Sequence, residues 1–294
     1  MGVVGMFQRV SLSVYYWVFV VFLLSPLVVL VVFAFNDSTT PSLPLAGFTT
    51  HWFGEAFTND QLTSALIRSV VIALVTGVLA TGLGILASIG LTSPKLRLRS
   101  ITVAALLLPL VVPYISLAVG LVILLQALQV QTSLTAVVLG HVVIALPFSI
   151  LVLLPRLRTL DPAMLEAARD LGAGDFAAFR LITLPLLGPA LVSSFLISFV
   201  TSFDEFAIAS FLSPSGQPTY PVILYASART PSLLPQVIAI GTLVIATSIA
   251  LVLIAEGGRR WAERQLVGDT DAIDGEPLSE GLNDMAAASE RTSS

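Results

Sequence analysis

The sequence has no cysteine and little charge. Disulfide bonds, thiolate metal sites and cysteine nucleophiles are therefore excluded. Charged side chains make up 11% of the chain, less than half of the share usual in a soluble domain. The two histidines, His51 and His141, belong to no Ser/His/Asp set and no HExxH motif, and the chain has no G-x-x-x-x-G-K-[ST] phosphate loop. We therefore expect no catalytic residues, no metal site and no ATP bound by this chain alone.

What the chain has in quantity is long apolar runs. Of the 294 residues, 56% are apolar, and the mean hydropathy is +0.95. A run of about 20 apolar residues is long enough to cross roughly 30 Å of hydrocarbon as a helix. The first run is longer than the apolar part of a signal peptide, so we interpret it as an uncleaved helix. The sequence predicts an all-α membrane protein with six transmembrane helices at about 12–35, 69–91, 101–125, 134–154, 190–212 and 236–255.

Proline and small residues modify these helices. Pro109, Pro113 and Pro147 predict kinks within the third and fourth helices. Small side chains in the second helix permit close contact with neighbouring helices in lipid: Ala73, Gly77, Thr81, Gly84 and Ser88.

The basic residues predict the orientation. Lys and Arg accumulate in cytoplasmic loops, and 12 of the 14 fall in the two termini and in the second and fourth connections. Only Arg68 and Arg229 lie on the other side. The sequence therefore predicts an inner-membrane protein with both termini in the cytoplasm.

The chain ends in an acidic segment. Residues 267–294 carry seven acids and one Arg, a composition too polar to form a core. We expect 1–265 to be the transmembrane domain and 266–294 to be a disordered, solvated tail. The rest of the chain is only slightly basic, which argues against nucleic-acid binding.

The fourth connection contains a polar elbow, residues 162–183. Asp161 precedes a proline and Gly172 follows ten residues later, which predicts a short helix at 162–171. Met164, Ala168 and Leu171 would share its apolar face. We expect Asp175 to cap a second helix at 176–183, along which Phe176, Phe179 and Thr183 share one side and which Leu184-Pro185 ends. These features alone fit a docking surface and a simple interfacial loop equally well.

A motif in the elbow resembles the EAA loop of ABC importer permeases. Glu166-Ala167-Ala168 is followed after three residues by Gly172, then after nine by Ile182, and then by Leu184-Pro185. Every spacing of the loop is met.

The resemblance implies a fold and a set of partners. The fold would be the MetI-like fold of type I ABC importer permeases. The partners would be an ABC ATPase dimer that holds ATP and Mg²⁺, a companion permease, an extracytoplasmic solute-binding protein and the lipid bilayer. This chain would hold no cofactor. The residues implied in ATPase coupling are Glu166, Ala167, Ala168, Arg169, Asp170, Gly172, Leu184 and Pro185.

Two adjacent acids interrupt the fifth helix. An ionised Asp204 or Glu205 near a helix centre costs about 2.5–3.5 kcal/mol and needs compensation. Adjacent helical residues point about 100° apart, so we expect only one of them to face the transport path directly. The compensation is either an ion pair, with Arg68, Arg229 or a base of a companion permease, or a cationic substrate, and the sequence does not separate these. For His141 we expect a hydrogen bond to a neighbouring helix, with a proton relay or a substrate contact as the alternatives.

Longer stretches are similar to the second permease of spermidine/putrescine-type importers. They are the run from Asp170 to Leu212, "LPLVVPYISLAVGL" in the third helix, and "FNDS" and "GFTTHWF" after the first. The resemblance implies a polyamine as solute. Importers of opines, iron or thiamine are relatives and remain alternatives. An ion-driven secondary transporter would show repeat symmetry between halves, and we find no such repeat.

Overall fold

The computed structural model describes residues 3–93 and 96–250, with side chains from residue 12. Within these ranges the chain is helical and has no strand. The N-terminal half contains α1 (Val3–Ala34), α2 (His51–Thr58), α3 (Asp60–Thr92), α4 (Arg99–Leu107), α5 (Tyr114–Ala127) and α6 (Leu134–Arg158). The C-terminal half contains α7 (Pro162–Asp170), α8 (Asp175–Ala178), α9 (Leu184–Leu186), α10 (Gly188–Phe203), α11 (Ala207–Leu212), α12 (Tyr220–Ser227) and α13 (Leu234–Ala250).

Among the described residues, three helices are long and apolar enough to cross a membrane. They are Leu12–Ala34 within α1, and α3 and α6 in full. Two bent helix pairs raise this number to five if each pair is one span. α13 is shorter, and the predicted end of the sixth helix at 255 lies outside the described residues. The coarse prediction of an all-α chain with several spans is confirmed, whereas the number six remains a prediction.

Two predicted continuous helices are broken. The third is interrupted after a short 3₁₀ turn, Leu108–Leu110, and the segments on either side meet at 101°. Pro109 and Pro113 lie at this break. Neither has a backbone N–H, so neither can donate the hydrogen bond that would continue the helix. The fifth ends at Phe203 and resumes as α11. α6, in contrast, runs unbroken through Pro147.

The chain divides into two units, and both candidate sites lie in the larger one, Val32–Val237. Its centre is the packing of α3, α6 and α10 on one another. A cluster of buried apolar residues connects α3, α5, α6 and α11: Ile72, Ala118, Ala136, Val137, Ile144, Ile208, Ala209 and Leu212.

Glycine sets the distance between α3 and α6. A Cβ atom at Gly84 would lie 2.5 Å from the Cβ of Ser149 and 3.4 Å from its backbone carbonyl carbon. Gly82, two residues earlier on the same helix, has no heavy atom within 4 Å of the same position. The two helices can therefore approach this closely only because Gly84 has no side chain.

We expect Gly84→Ala to destabilise the protein by about 1–3 kcal/mol, because α3 and α6 must separate to admit the methyl group. The matched variant Gly82→Ala gains helix propensity of up to about 1 kcal/mol and meets no neighbour. Thermal unfolding of the purified proteins in detergent measures both. Equal melting temperatures for the two variants would contradict this account of the packing.

Candidate functional site

A line of hydroxyl groups joins α10 to its two neighbours. Ser194, Ser198 and Ser202 recur every four residues and are buried, so they share one face of α10. Ser194 Oγ lies 3.2 Å from Thr81 Oγ1 on α3. Ser198 Oγ lies 2.9 Å from Ser149 Oγ on α6. Without water in the hydrocarbon, such hydrogen bonds and the close approach of small residues hold helices together.

The line ends at a buried histidine and a buried glutamate. Ser202 Oγ lies 2.8 Å from His141 Nδ1 on α6, so the predicted hydrogen bond of His141 to a neighbouring helix is confirmed. His141 Nε2 lies 3.3 Å from Glu205 Oε2. The same carboxylate oxygen accepts a hydrogen bond of 3.1 Å from the backbone N–H of Ala209 at the start of α11. Glu205 thus connects the break after α10 to both α6 and α11.

The predicted arginine partners of the acids are wrong for Glu205. Its contact in the described chain is His141, whose position in the sequence gives no indication of this pairing. Arg68 instead donates its Nε–H to the carbonyl oxygen of Pro218 at 3.0 Å. A buried carboxylate needs hydrogen-bond donors more than a distant charge, and His141 and Ala209 provide close contacts.

Asp204 has different surroundings. It terminates α10, where its backbone N–H donates to the carbonyl oxygen of Val200 at 3.1 Å, and its side chain is exposed. It lines an open cleft of about 510 Å³ together with Tyr114, Phe148, Thr201 and Phe206. A carboxylate beside aromatic rings attracts an organic cation, since the carboxylate carries a negative charge and the ring faces present a negative electrostatic potential. The sequence predicted Asp204 and Glu205 as substrate-path candidates but not the aromatic residues, which come from three different helical regions.

The first helix of the elbow, α7, begins and ends as local chemistry dictates. Asp161 caps α7, and its Oδ1 accepts a 2.9 Å hydrogen bond from the Ala163 N–H. Gly172 has φ +87°, a conformation that other residues rarely adopt. The chain turns there, and the Ala173 N–H donates to the Ala168 carbonyl oxygen at 2.9 Å.

The predicted role of Asp175 is wrong. α8 begins at Asp175 itself and has no side-chain cap. The Asp175 carboxylate instead accepts hydrogen bonds from Arg169 Nε at 3.1 Å and Nη2 at 2.9 Å. The pair bridges the turn at Gly172 and connects α7 to α8.

The predicted end of the second elbow helix is also wrong. A π-helical turn, Phe179–Thr183, follows α8, and the Leu184 N–H donates to the Phe179 carbonyl oxygen. The widened turn precedes Pro185, which has no N–H to donate, and the helix continues to Leu186. The bend, of 71°, falls at Leu187 between this helical segment and α10.

The exposure of the elbow residues differs from the predicted apolar face. Ala168 is buried within the chain, whereas Met164 is 45% exposed and Leu171 is 89% exposed. Phe176 is also exposed, although the sequence grouped it with the buried Thr183. Of the predicted coupling residues, all except Ala168 are exposed: Glu166, Ala167, Arg169, Asp170, Gly172, Leu184 and Pro185. Within 3–93 and 96–250, no three His, Asp or Glu residues are grouped to hold a metal ion.

The chain matches the family described as "Binding-protein-dependent transport system inner membrane component" over residues 80–268. It belongs to this family. It is therefore a multi-pass inner-membrane subunit of a transport system and not an enzyme. Permeases of this kind work with an ATPase, a companion permease and a solute-binding protein.

Two curated relatives are polyamine permeases. The chain is 34% identical to the "Spermidine/putrescine transport system permease protein PotC" of Haemophilus influenzae, over 80% of this chain and 91% of that protein. It is 33% identical to the "Putrescine transport system permease protein PotI" of Escherichia coli K12, over 84% of this chain and 90% of that protein. These matches confirm the resemblance to spermidine/putrescine-type permeases.

A solved structure shares the fold. It is a bacterial ABC transporter involved in the import of the acidic polysaccharide alginate, with a TM-score of 0.65 and 13% sequence identity. The similarity covers 89% of this chain and 98% of that one. The fold is therefore that of ABC importer permeases.

We expect Glu205→Ala to destabilise the protein by about 2–3 kcal/mol, because it leaves His141 and the Ala209 N–H without their buried partner. The neighbouring variant Asp204→Ala should change the stability by no more than about 0.5 kcal/mol, since Asp204 is exposed. The melting temperatures of the two purified variants measure the difference. A larger loss from Asp204→Ala would contradict the assignment of the structural role to Glu205.

Proposed function

We propose that this chain is one of two permease subunits of an ATP-driven importer for a polyamine. The cleft carries the proposal, because it places the exposed Asp204 carboxylate beside Tyr114, Phe148 and Phe206. A polyamine is a chain of ammonium groups joined by methylenes, and it matches a site that offers both negative charge and ring surface. The names of the relatives PotC and PotI support the same class of solute.

The buried contact between Glu205 and His141 positions this site. Their contact fixes the break between α10 and α11, and Asp204 is the residue at that break. Glu205 also lines the cleft but is buried against His141, so the exposed carboxylate that the polyamine would meet is Asp204. A companion permease would supply the opposite wall of the path.

The elbow is the proposed contact with the ATPase. The asymmetry of the basic residues supports cytoplasmic termini and a cytoplasmic elbow. There the exposed apolar side chains of Met164, Leu171 and Phe176, beside Glu166 and Ala167, form a surface available to a partner. ATP and Mg²⁺ would bind to the ATPase dimer. Its closure would move the elbow and switch the two permeases between inward-facing and outward-facing states.

We expect Asp204→Asn to raise the KM for uptake of labelled spermidine or putrescine by roughly tenfold or more, because the variant loses a charged contact with an ammonium group. The assay uses the complete importer in membrane vesicles. Asp204→Glu, which retains the charge, should keep most of the affinity. The melting temperature of Asp204→Asn should equal that of the wild type.

Two outcomes would count against the polyamine proposal. Unchanged uptake by Asp204→Asn would show that the carboxylate does not contact the solute. Equal loss in Asp204→Asn and Asp204→Glu would show that the shape of the cleft matters and its charge does not.

We expect Leu171→Asp to abolish co-purification of the ATPase and ATP-dependent uptake, since it places a charge in the centre of the docking surface. Leu171 is exposed and its replacement leaves the fold intact. The control is Leu128→Asp, because Leu128 is similarly apolar and 63% exposed but lies after α5, on the predicted outer side. Retention of the ATPase by Leu171→Asp would contradict docking at this surface.

A further inference from the structure

A second cleft, of about 1,100 Å³, lies between the elbow and the ends of α3, α4 and α6. Its lining has an unusual composition for this chain. Three arginines contribute to it, Arg99, Arg158 and Arg169, together with one acid, Asp175. The remaining lining is largely apolar and includes Ile89, Leu157, Leu160, Leu165 and Phe179. The cleft thus combines positively charged side chains with an apolar surface.

The positive charge is only partly compensated. Asp175 accepts both hydrogen bonds of Arg169, at 2.9 and 3.1 Å. Arg99 and Arg158 make no ion pair with any residue in the described part of the chain. Two guanidinium groups therefore line the cleft without an acidic partner among those residues. Arginine favours phosphate as a partner because its planar fork offers two parallel N–H donors.

The cleft lies at the ends of two helices that are long enough to span the membrane, α3 and α6. Thr92 is the last residue of α3 and Arg158 is the last residue of α6, and both helices are long enough to cross the bilayer. Ile89 and Leu157, which also line the cleft, lie just inside these ends. Arginines at the ends of spanning helices lie near the lipid phosphates, and the apolar residues before them lie beside the acyl chains.

We propose that this cleft is a binding site for an anionic phospholipid, whose phosphate contacts Arg99 and Arg158 and whose acyl chains cover the apolar lining. A free phosphate ion has the same charge chemistry. It would leave the large apolar part of the cleft uncovered, and the lipid fits both parts.

The lipid site is distinct from the exposed apolar surface proposed to contact the ATPase, although Arg169, one of the residues implied in coupling, lines the cleft. Pro162, Leu165 and Arg169 line the cleft and recur on α7 at spacings of three and four. The exposed Met164 and Leu171 lie on the opposite side of the helix, because each residue advances the direction by about 100°. A lipid in the cleft therefore packs behind the elbow while the outer face of α7 remains free.

The test measures phosphatidylglycerol binding to the complete importer in detergent by native mass spectrometry. We expect Arg99→Gln/Arg158→Gln to weaken binding at least about tenfold, since each arginine near an anionic headgroup contributes to the affinity. The control is Arg97→Gln/Arg156→Gln, which removes two exposed arginines from the same end of the helices, outside the cleft lining. This control should change the affinity by less than about twofold.

Several results would overturn the proposal. They are equal losses in the two double variants, no loss in either, or equal binding of phosphatidylcholine and phosphatidylglycerol by the wild type. Displacement of the lipid by millimolar inorganic phosphate would assign the site to free phosphate instead. Arg158→Gln alone, with an intermediate loss and an unchanged melting temperature, guards against misfolding of the double variant. Leu171→Asp, measured on the permease subunits that purify without the ATPase, should retain lipid binding, so a failure of the coupling proposal is distinguishable from a failure of this one.

Discussion

The close contact of α3, α6 and α10 is the constraint on which the candidate transport site depends. Lipid chains are as apolar as leucine, so helices in a bilayer gain little free energy from packing apolar side chains against each other instead of against lipid. Here the contact uses a glycine, Gly84, against Ser149, and hydroxyl pairs along one face of α10. This face leads directly to His141 and Glu205. The position of Asp204 at the end of α10 is a consequence of how the three helices pack.

The two adjacent carboxylates show how one short sequence places two acids in different surroundings. Glu205 is buried, lies 3.3 Å from His141 on α6 and accepts a hydrogen bond from α11, so its role is structural. Asp204 is exposed beside aromatic rings. Because α10 ends at Phe203, just before them, the helix geometry that would relate neighbouring side chains no longer applies. At the break, Glu205 is buried and Asp204 is exposed.

Local chemistry made the elbow predictable in part. Asp161 and Gly172 act through their own backbone neighbourhood, so their roles as cap and turn follow from the sequence. Asp175 has a competing partner, Arg169, and the choice between a backbone N–H and a guanidinium depends on the angle between α7 and α8. The buried part of α7 likewise depends on what packs against it: of the three residues on the predicted apolar face, Ala168 is buried, whereas Met164 and Leu171 are exposed. The pairing of His141 with Glu205 joins residues 64 positions apart. The four-residue spacing of Ser194, Ser198 and Ser202 is a sequence signal for a polar contact, but it does not identify the partners.

The bend at Leu187 would make the elbow a lever arm if it moves with the ATPase as proposed. The helical segment Asp175–Leu186 joins α10 through this one residue, which is fully buried. Twelve residues at 1.5 Å each make a lever arm of roughly 18 Å. Each degree of rotation at Leu187 thus displaces the tip of the arm by about 0.3 Å, and a swing of about 10° displaces it by about 3 Å, comparable to the length of a hydrogen bond. Under the coupling proposal, a displacement of a few ångströms at the elbow would therefore correspond to a small rotation of α10.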